Sequence, residues 1–218
     1  MTTGRSSAIF SALTLIVLLN GCVETRFESP LGDNIETCDT HWKGLWSIEK
    51  PNSDEPAALW IDEECRFTAL DQPEKGGPFK QIHIPVNYVH DDGNDYLVIS
   101  DVGLKGIVEV KAPYGIDPVP AKSFFFAKYR ARGDRIEVFS VDDAAVAKLV
   151  VDEKLPGTVS KTANELHVFV RGDRKQMLEM SRHDAIFASK PKPILYRIKQ
   201  TPAEYEQTVI QSQHAKKP

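Results

Sequence analysis

Cysteine, histidine, serine and carboxylate side chains are the groups in this 218-residue chain that could do chemistry. Of the three cysteines, Cys38 and Cys65 form an even pair once Cys22 is set aside. In an exported chain an oxidising compartment favours a disulfide between them, and closing a loop of 26 intervening residues is worth about 3 kcal/mol by loop entropy. Two buried thiols, or half of a metal site, are the alternatives. A metal would need two further ligands, and only His41 is near in sequence. The cysteines do not form a Cys-x-x-Cys pair, which argues against thiol redox catalysis. The six histidines (His41, His83, His90, His167, His183 and His214) show no metal-ligand spacing, so no metal site is expected. His90, Asp91, Asp92 and Asp95 gather oxygen ligands that would suit a hard cation, but Gly93 is placed for a hairpin and turn chemistry explains the acids better. Ser100, Ser140 and Ser181 have no nucleophile elbow around them, and no glycine-rich phosphate loop exists. In Arg182-His183-Asp184 the His and the acid are adjacent, so on a strand they would point to opposite faces. Asp62, Glu63 and Glu64 read as a solvated strand or loop. No catalytic residue and no cofactor follow from these patterns. A site assembled across the fold stays open.

The remaining cysteine sits at the end of a different kind of segment. Arg5 is the only charge in the first 22 residues, and residues 8–19 (AIFSALTLIVLL) carry none. A basic start, a short apolar core and small residues at a cut site make a secretory signal. Twelve residues rise only about 18 Å as a helix, too little for a bilayer core of about 30 Å. The run Leu19-Asn20-Gly21-Cys22 resembles the lipobox of bacterial lipoproteins, with Asn20 a less usual choice at its place. The resemblance implies that residues 1–21 are cut away, that Cys22 is diacylated and that its new amino terminus is acylated. An ordinary cleaved signal with a chance cysteine, or an unprocessed anchor, is the alternative. Val23 is not the Asp that retains such proteins at the inner membrane, so the resemblance implies the periplasmic face of the outer membrane of a Gram-negative envelope.

Removing residues 1–21 leaves 197 residues with 26 basic and 31 acidic side chains, a net charge of −5. One domain fits that length. The balance argues against nucleic acid as a partner and favours a body that does not lie on an anionic membrane. No later apolar run is long enough to span a bilayer.

Residues 22–37 are polar, with Pro30, Gly32 and Asp33, and read as a lipidated start followed by a flexible tether. Residues 38–200 then carry strand signals. Residues 43–50 form the first, with Gly44-Leu45-Trp46 in it. Residues 57–70 form the second, with Leu59, Ile61, Cys65 and Phe67 on one face and a bulge or edge at Glu63. Residues 79–90 alternate around Ile82, Ile84, Val86 and Tyr88, with Pro85 pushing that strand to an edge. Hairpins are expected about Asp92-Gly93 and Gly133-Asp134, and a short strand at 106–110. Asp142 and Asp173 read as helix caps, residues 165–171 and 194–198 as strands, and 201–218 as a polar tail, either a frayed helix or disordered. Eight or nine strands joined mostly in order, with one or two short helices, predict a mainly β domain: an antiparallel meander curling into an open or closed barrel.

Gly44-x-Trp46 on the first strand of the domain and Arg197 on the last resemble the corresponding pair in lipocalins, small barrels that bind apolar ligands. That resemblance implies a ligand space, lined by Trp46, Ile82, Ile84, Phe124 and Phe126, with Arg197 packing over Trp46. A core Trp at the start of an ordinary sheet is the alternative. The expected function is a lipid-anchored envelope protein that binds an apolar small ligand or another envelope protein. An envelope enzyme is the rival.

Overall fold

The computed structural model describes residues 23–33, 35–36, 38–48 and 57–215. The expected signal segment 1–21, Cys22, the end of the expected first strand at residues 49–50 and the last three residues of the expected tail lie outside the described residues.

Nine strands curl around one interior. They are β3 (Gly44–Ser47), β4 (Ala58–Ile61), β5 (Phe67–Asp71), β6 (Lys80–Ile84), β7 (Asn87–Asp91), β8 (Asn94–Ser100), β9 (Phe124–Arg132), β10 (Arg135–Ser140) and β13 (Ile194–Ile198). Antiparallel ladders run β6-β5-β4-β3-β13-β10-β9-β8-β7, and the seam between β6 and β7 is not hydrogen-bonded, so the barrel is open. The other strands are β1 (Val23–Phe27), β2 (Ile35–Glu36), β11 (Gly157–Lys161) and β12 (Leu166–Val170). The described helices are α1 (Asp143–Val151), α2 (Arg174–Ser181) and α3 (Pro202–Ala215), three rather than one or two.

Side-chain alternation decides which residues share a core. One cluster draws on every barrel strand: Trp46, Leu59, Phe67, Ile84, Tyr88, Leu97, Tyr129, Ile136 and Leu195 meet inside, with Trp42 from the 3-10 turn that precedes β3. The opposite faces of β7, β8, β9 and β10 pack beneath α1 and α2, with β1 and β12 in the same layer, through Phe27, Tyr96, Phe126, Phe139, Val146 and Met180. A third, small core of Leu45, Ala58 and Leu70 is covered by Tyr205 of α3, whose ring stacks on Phe79 at 5.8 Å. Residues 202–215 are therefore a helix docked on the barrel wall, tied down by Glu206 and Gln213, whose side chains accept from the backbone N–H groups of Phe79 and Gly76.

The described residues of the segment 22–37 are not the flexible tether that its polarity suggested. Val23–Phe27 pairs in parallel with Leu166–Val170, and Leu31 is fully buried. Tertiary pairing overrides composition here: the Glu28 N–H donates to the Val170 carbonyl and the Gly32 N–H to the Arg174 carbonyl. The folded unit thus takes in Val23–Phe27, ahead of the expected start at residue 38.

Three other expectations change in detail. Residues 57–70 are a hairpin, because Asp62 accepts from the backbone N–H groups of Glu64 and Arg66 and Cys65 takes a left-handed conformation at φ 60°. Residues 79–90 divide into β6 and β7 at Pro85, and β6 is an edge strand. Residues 106–110 form no strand; Val108 makes one isolated bridge, to Lys105. The two hairpins turn at Asp92-Gly93 and Gly133-Asp134, and Asp142 and Asp173 cap their helices by accepting from Ala145 and Gln176.

Candidate functional site

The barrel is closed at one end by the cluster that the Gly-x-Trp run builds. Arg197 is the register partner of Trp46 across β13 and β3, and its guanidinium lies 4.2 Å from the Trp46 ring centroid. It donates to the carbonyls of Lys43 at 2.6 Å and His41 at 3.4 Å, which fastens the 3-10 turn to β13. Trp46 Nε1 donates to the Trp42 carbonyl at 2.7 Å. Gly44 has φ +119°, and a Cβ there would stand 2.5 Å from Arg197 Nη1, so the glycine leaves the space that the guanidinium occupies.

Beside this plug sits a buried polar cluster. Asp39 accepts from the Tyr129 hydroxyl at 2.5 Å and from the His41 backbone at 2.9 Å. Burial raises the Asp39 pKa, but these hydrogen bonds outweigh it and the carboxyl ends below its usual value. Burial, with the hydrogen bond to Asp39 next in weight, pushes the Tyr129 phenol far above its ordinary value, so it stays a neutral donor. Cys38 and Cys65 are joined by a disulfide that ties the segment before this turn to the β4–β5 hairpin.

The interior is packed rather than hollow. Trp42, Trp46 and Tyr88 are fully buried, and Tyr129 is 2% exposed. Trp42 meets Phe67, Tyr88 and Tyr129 with ring centroids 5.2 to 6.3 Å apart. A cavity of about 60 Å³ remains, where β1 and β10 diverge from β9. On its inner side are Trp42, Phe67, Leu97, Ile99 and Phe125; at its outer side are Glu24, Thr25 and Asp143. Burial is the largest cause that lifts the Asp143 pKa to about 6; the neighbouring carboxylates Asp142 and Glu24 add to it, and contacts from Thr25 oppose it. Close by, the buried Arg26 pairs with Glu24 and lies 5.1 Å from the Phe125 ring centroid.

Of the six residues expected around a ligand, only Phe126 touches this cavity. Trp46 and Ile84 belong to the barrel core, and Ile82 packs against it. Phe124 and Phe126 lie on the other face of β9, where Phe126 stacks on Phe27 at 4.1 Å; Phe125, Ala127 and Tyr129 face inward instead. Three successive phenylalanines give no alternation, so the sequence could not say which of them turn in. Glu24, Thr25 and Arg26 were hidden because residues 22–37 read as a tether; the alternating Val23-x-Thr25-x-Phe27 was the available signal.

His90, Asp91 and Asp95 are engaged in structure. His90 Nδ1 lies 2.7 Å from Asp95, and Asp91 takes two hydrogen bonds from Arg182 at 2.7 and 2.9 Å. Among the described residues no group of three or more His, Cys, Asp or Glu side chains is arranged to hold a metal. No described helix is long and apolar enough to cross a membrane. Comparison with known protein families, with curated proteins and with solved structures finds no match.

Proposed function

We propose that this chain is a lipoprotein of the bacterial outer membrane whose barrel is a filled scaffold, and that it works through its outer surface as a partner-binding accessory protein of the envelope. The run Leu19-Asn20-Gly21-Cys22 supports the anchor. The packed interior supports the scaffold. An apolar cavity that takes up benzene measures about 150 Å³, and 60 Å³ is well short of that. Carriers of larger ligands have pockets of about 300–1,000 Å³. The lipocalin-like closure by Gly44, Trp46 and Arg197 then serves rigidity rather than transport.

A saturable-uptake assay with an environment-sensitive apolar probe tests the scaffold, and no uptake is expected. Uptake at one site, abolished by Phe126→Asp in a folded protein, would restore the carrier. The anchor is tested by Cys22→Ser, which should leave the precursor uncut or miscut and unlabelled by a palmitate analogue, because lipidation needs the sulfur. Equal labelling of the variant would refute it.

One observation favours a second reading, an envelope enzyme. Asp143, with a pKa of about 6 beside Glu24 at the mouth of an apolar slit, is suited to hold and return a proton near neutral pH. Hydrolytic activity that disappears in Asp143→Asn while the fold persists would replace the accessory role with this one.

A further inference from the structure

Beside the end of β1 nearest Cys22 lies an exposed aromatic side chain that the core does not use. Val23 is in register with Leu166, and Leu166 with Lys161; on the next row Glu24 is in register with His167, and His167 with Ser160. Tyr114, in the long connection between β8 and β9, lies over this second row. Its ring centroid is 5.2 Å from that of His167, yet the residue is 50% exposed. The next residue, Gly115, has φ +73°, and a Cβ there would come within 2.2 Å of Ser160 Oγ. The loop therefore sits directly on β11, and the close approach holds Tyr114 in place.

Distance connects this tyrosine with the anchor. Glu24 is two positions from Cys22, with Val23 between them, and two extended residues span at most about 7 Å. If Cys22 carries acyl chains, the headgroup layer begins within that reach of the row under Tyr114. A tyrosine half out of a protein, with an apolar ring and a polar tip, suits that layer. The exposed charges nearby are of both signs, Lys111 and Lys161 against Asp117 and Glu165, so the surface fits a zwitterionic lipid better than an anionic one.

We propose that Tyr114 inserts into the zwitterionic headgroup region beside the acylated Cys22 and, with the anchor, fixes the orientation of the barrel on the membrane. The proposal rests on the lipoprotein reading of Cys22. It gives the protein two points of attachment, one covalent and one through an aromatic side chain, where the anchor alone would let the domain swivel.

The fold supplies a control. Val151, at the end of α1, is 68% exposed. Its neighbour Val150 packs on Gly157, and Gly157 belongs to the register row of Val170 and Phe27, at the other end of β1. Four strand residues place that row about 13 Å from the row of Val23.

Full-length acylated protein carrying Tyr114→Trp or Val151→Trp is reconstituted into phosphatidylcholine–phosphatidylethanolamine vesicles whose acyl chains are brominated near the headgroup. Intact mass reports acylation at Cys22. Wild-type emission gives the background from the buried Trp42 and Trp46 and the partly exposed Trp60. The indole at position 114 should shift to the blue and be quenched by the brominated lipid; that at 151 should do neither. If Cys22 is acylated and position 114 stays water-exposed, or is quenched no more than 151, the proposal is overturned and Tyr114 is left for a protein partner. An unacylated Cys22 would overturn the premise and the proposal with it, and the mass shows which of the two has failed.

Discussion

Replacing Arg197 by Ala should cost about 3 kcal/mol of folding stability. The guanidinium over Trp46 contributes a cation–π contact at 4.2 Å, worth about 0.5–2 kcal/mol. The hydrogen bond to the Lys43 carbonyl at 2.6 Å has a charged donor and is worth about 1.5–3 kcal/mol. The longer bond to His41 adds little, and the pair with the mostly exposed Asp134 at 3.5 Å less than about 1 kcal/mol. Because the Arg197 side chain is 29% exposed, the lower halves of these ranges apply, and the sum is near 3 kcal/mol. For a chain of this size that corresponds to a fall in Tm of roughly 6–12 °C. Urea unfolding followed by tryptophan emission measures it. Arg197→Lys should recover only part of the loss, since an ammonium cannot both cover the ring and reach two carbonyls. Gly44→Ala should also destabilise, and less than additively with Arg197→Ala, because removing the guanidinium removes the clash at 2.5 Å and leaves only the backbone strain. A loss below about 1 kcal/mol for Arg197→Ala, together with full additivity between positions 44 and 197, would refute this account of the closed end.

Reduction of Cys38–Cys65 should lower stability by about 3 kcal/mol, since the bridge closes a separation of 27 residues; unfolding midpoints that coincide with and without reductant would contradict it. Asp143 sets a pH dependence of definite sign. Its folded pKa of about 6 lies above the ordinary 3.8, so between about pH 4 and 6 the native state holds more protons than the unfolded one and loses stability as pH rises. The loss is at most about 3 kcal/mol. Asp143→Asn should therefore be more stable than wild type at pH 7, with the advantage shrinking towards pH 4. An Asn variant that is less stable at pH 7 would reverse the assignment.

Features with local causes were legible in the sequence. Asp92-Gly93 turns the β7–β8 hairpin with both residues at positive φ, as the two-residue turn demands. Asp173 caps α2 in a reciprocal box with Gln176, readable from the acid and the glutamine three residues on. Leu59 and Ile61 reach the barrel core as the alternation along β4 required, whereas Cys65 and Phe67 reach it because the chain reverses between β4 and β5. What escaped has non-local causes. β1 is five residues long, and its partner in the parallel ladder lies 143 positions further along. The β4–β5 reversal has no glycine; a carboxylate and a left-handed cysteine make it. At the candidate slit, Asp143 reads as a first-turn acid favoured by the helix dipole, and it is burial in the folded chain, with Asp142 and the Glu24 of β1 adding to it, that lifts its pKa.

The separation between β1 and β12 has a consequence for the order of assembly. In the lipoprotein reading the chain is exported from its amino terminus, which would deliver Val23 first and Leu166 long after, so β1 would have no parallel partner while most of the protein is still in transit. Phe124, its contact on β9, also arrives late. In the lipoprotein reading, the enzymes that cut before Cys22 and acylate it therefore meet an extended, unpaired strand. Strands β3 to β8 carry their own sequential ladders and are free to form meanwhile. In that reading, pairing of β1 would come after lipid attachment and would draw the domain down onto the bilayer as its closing step.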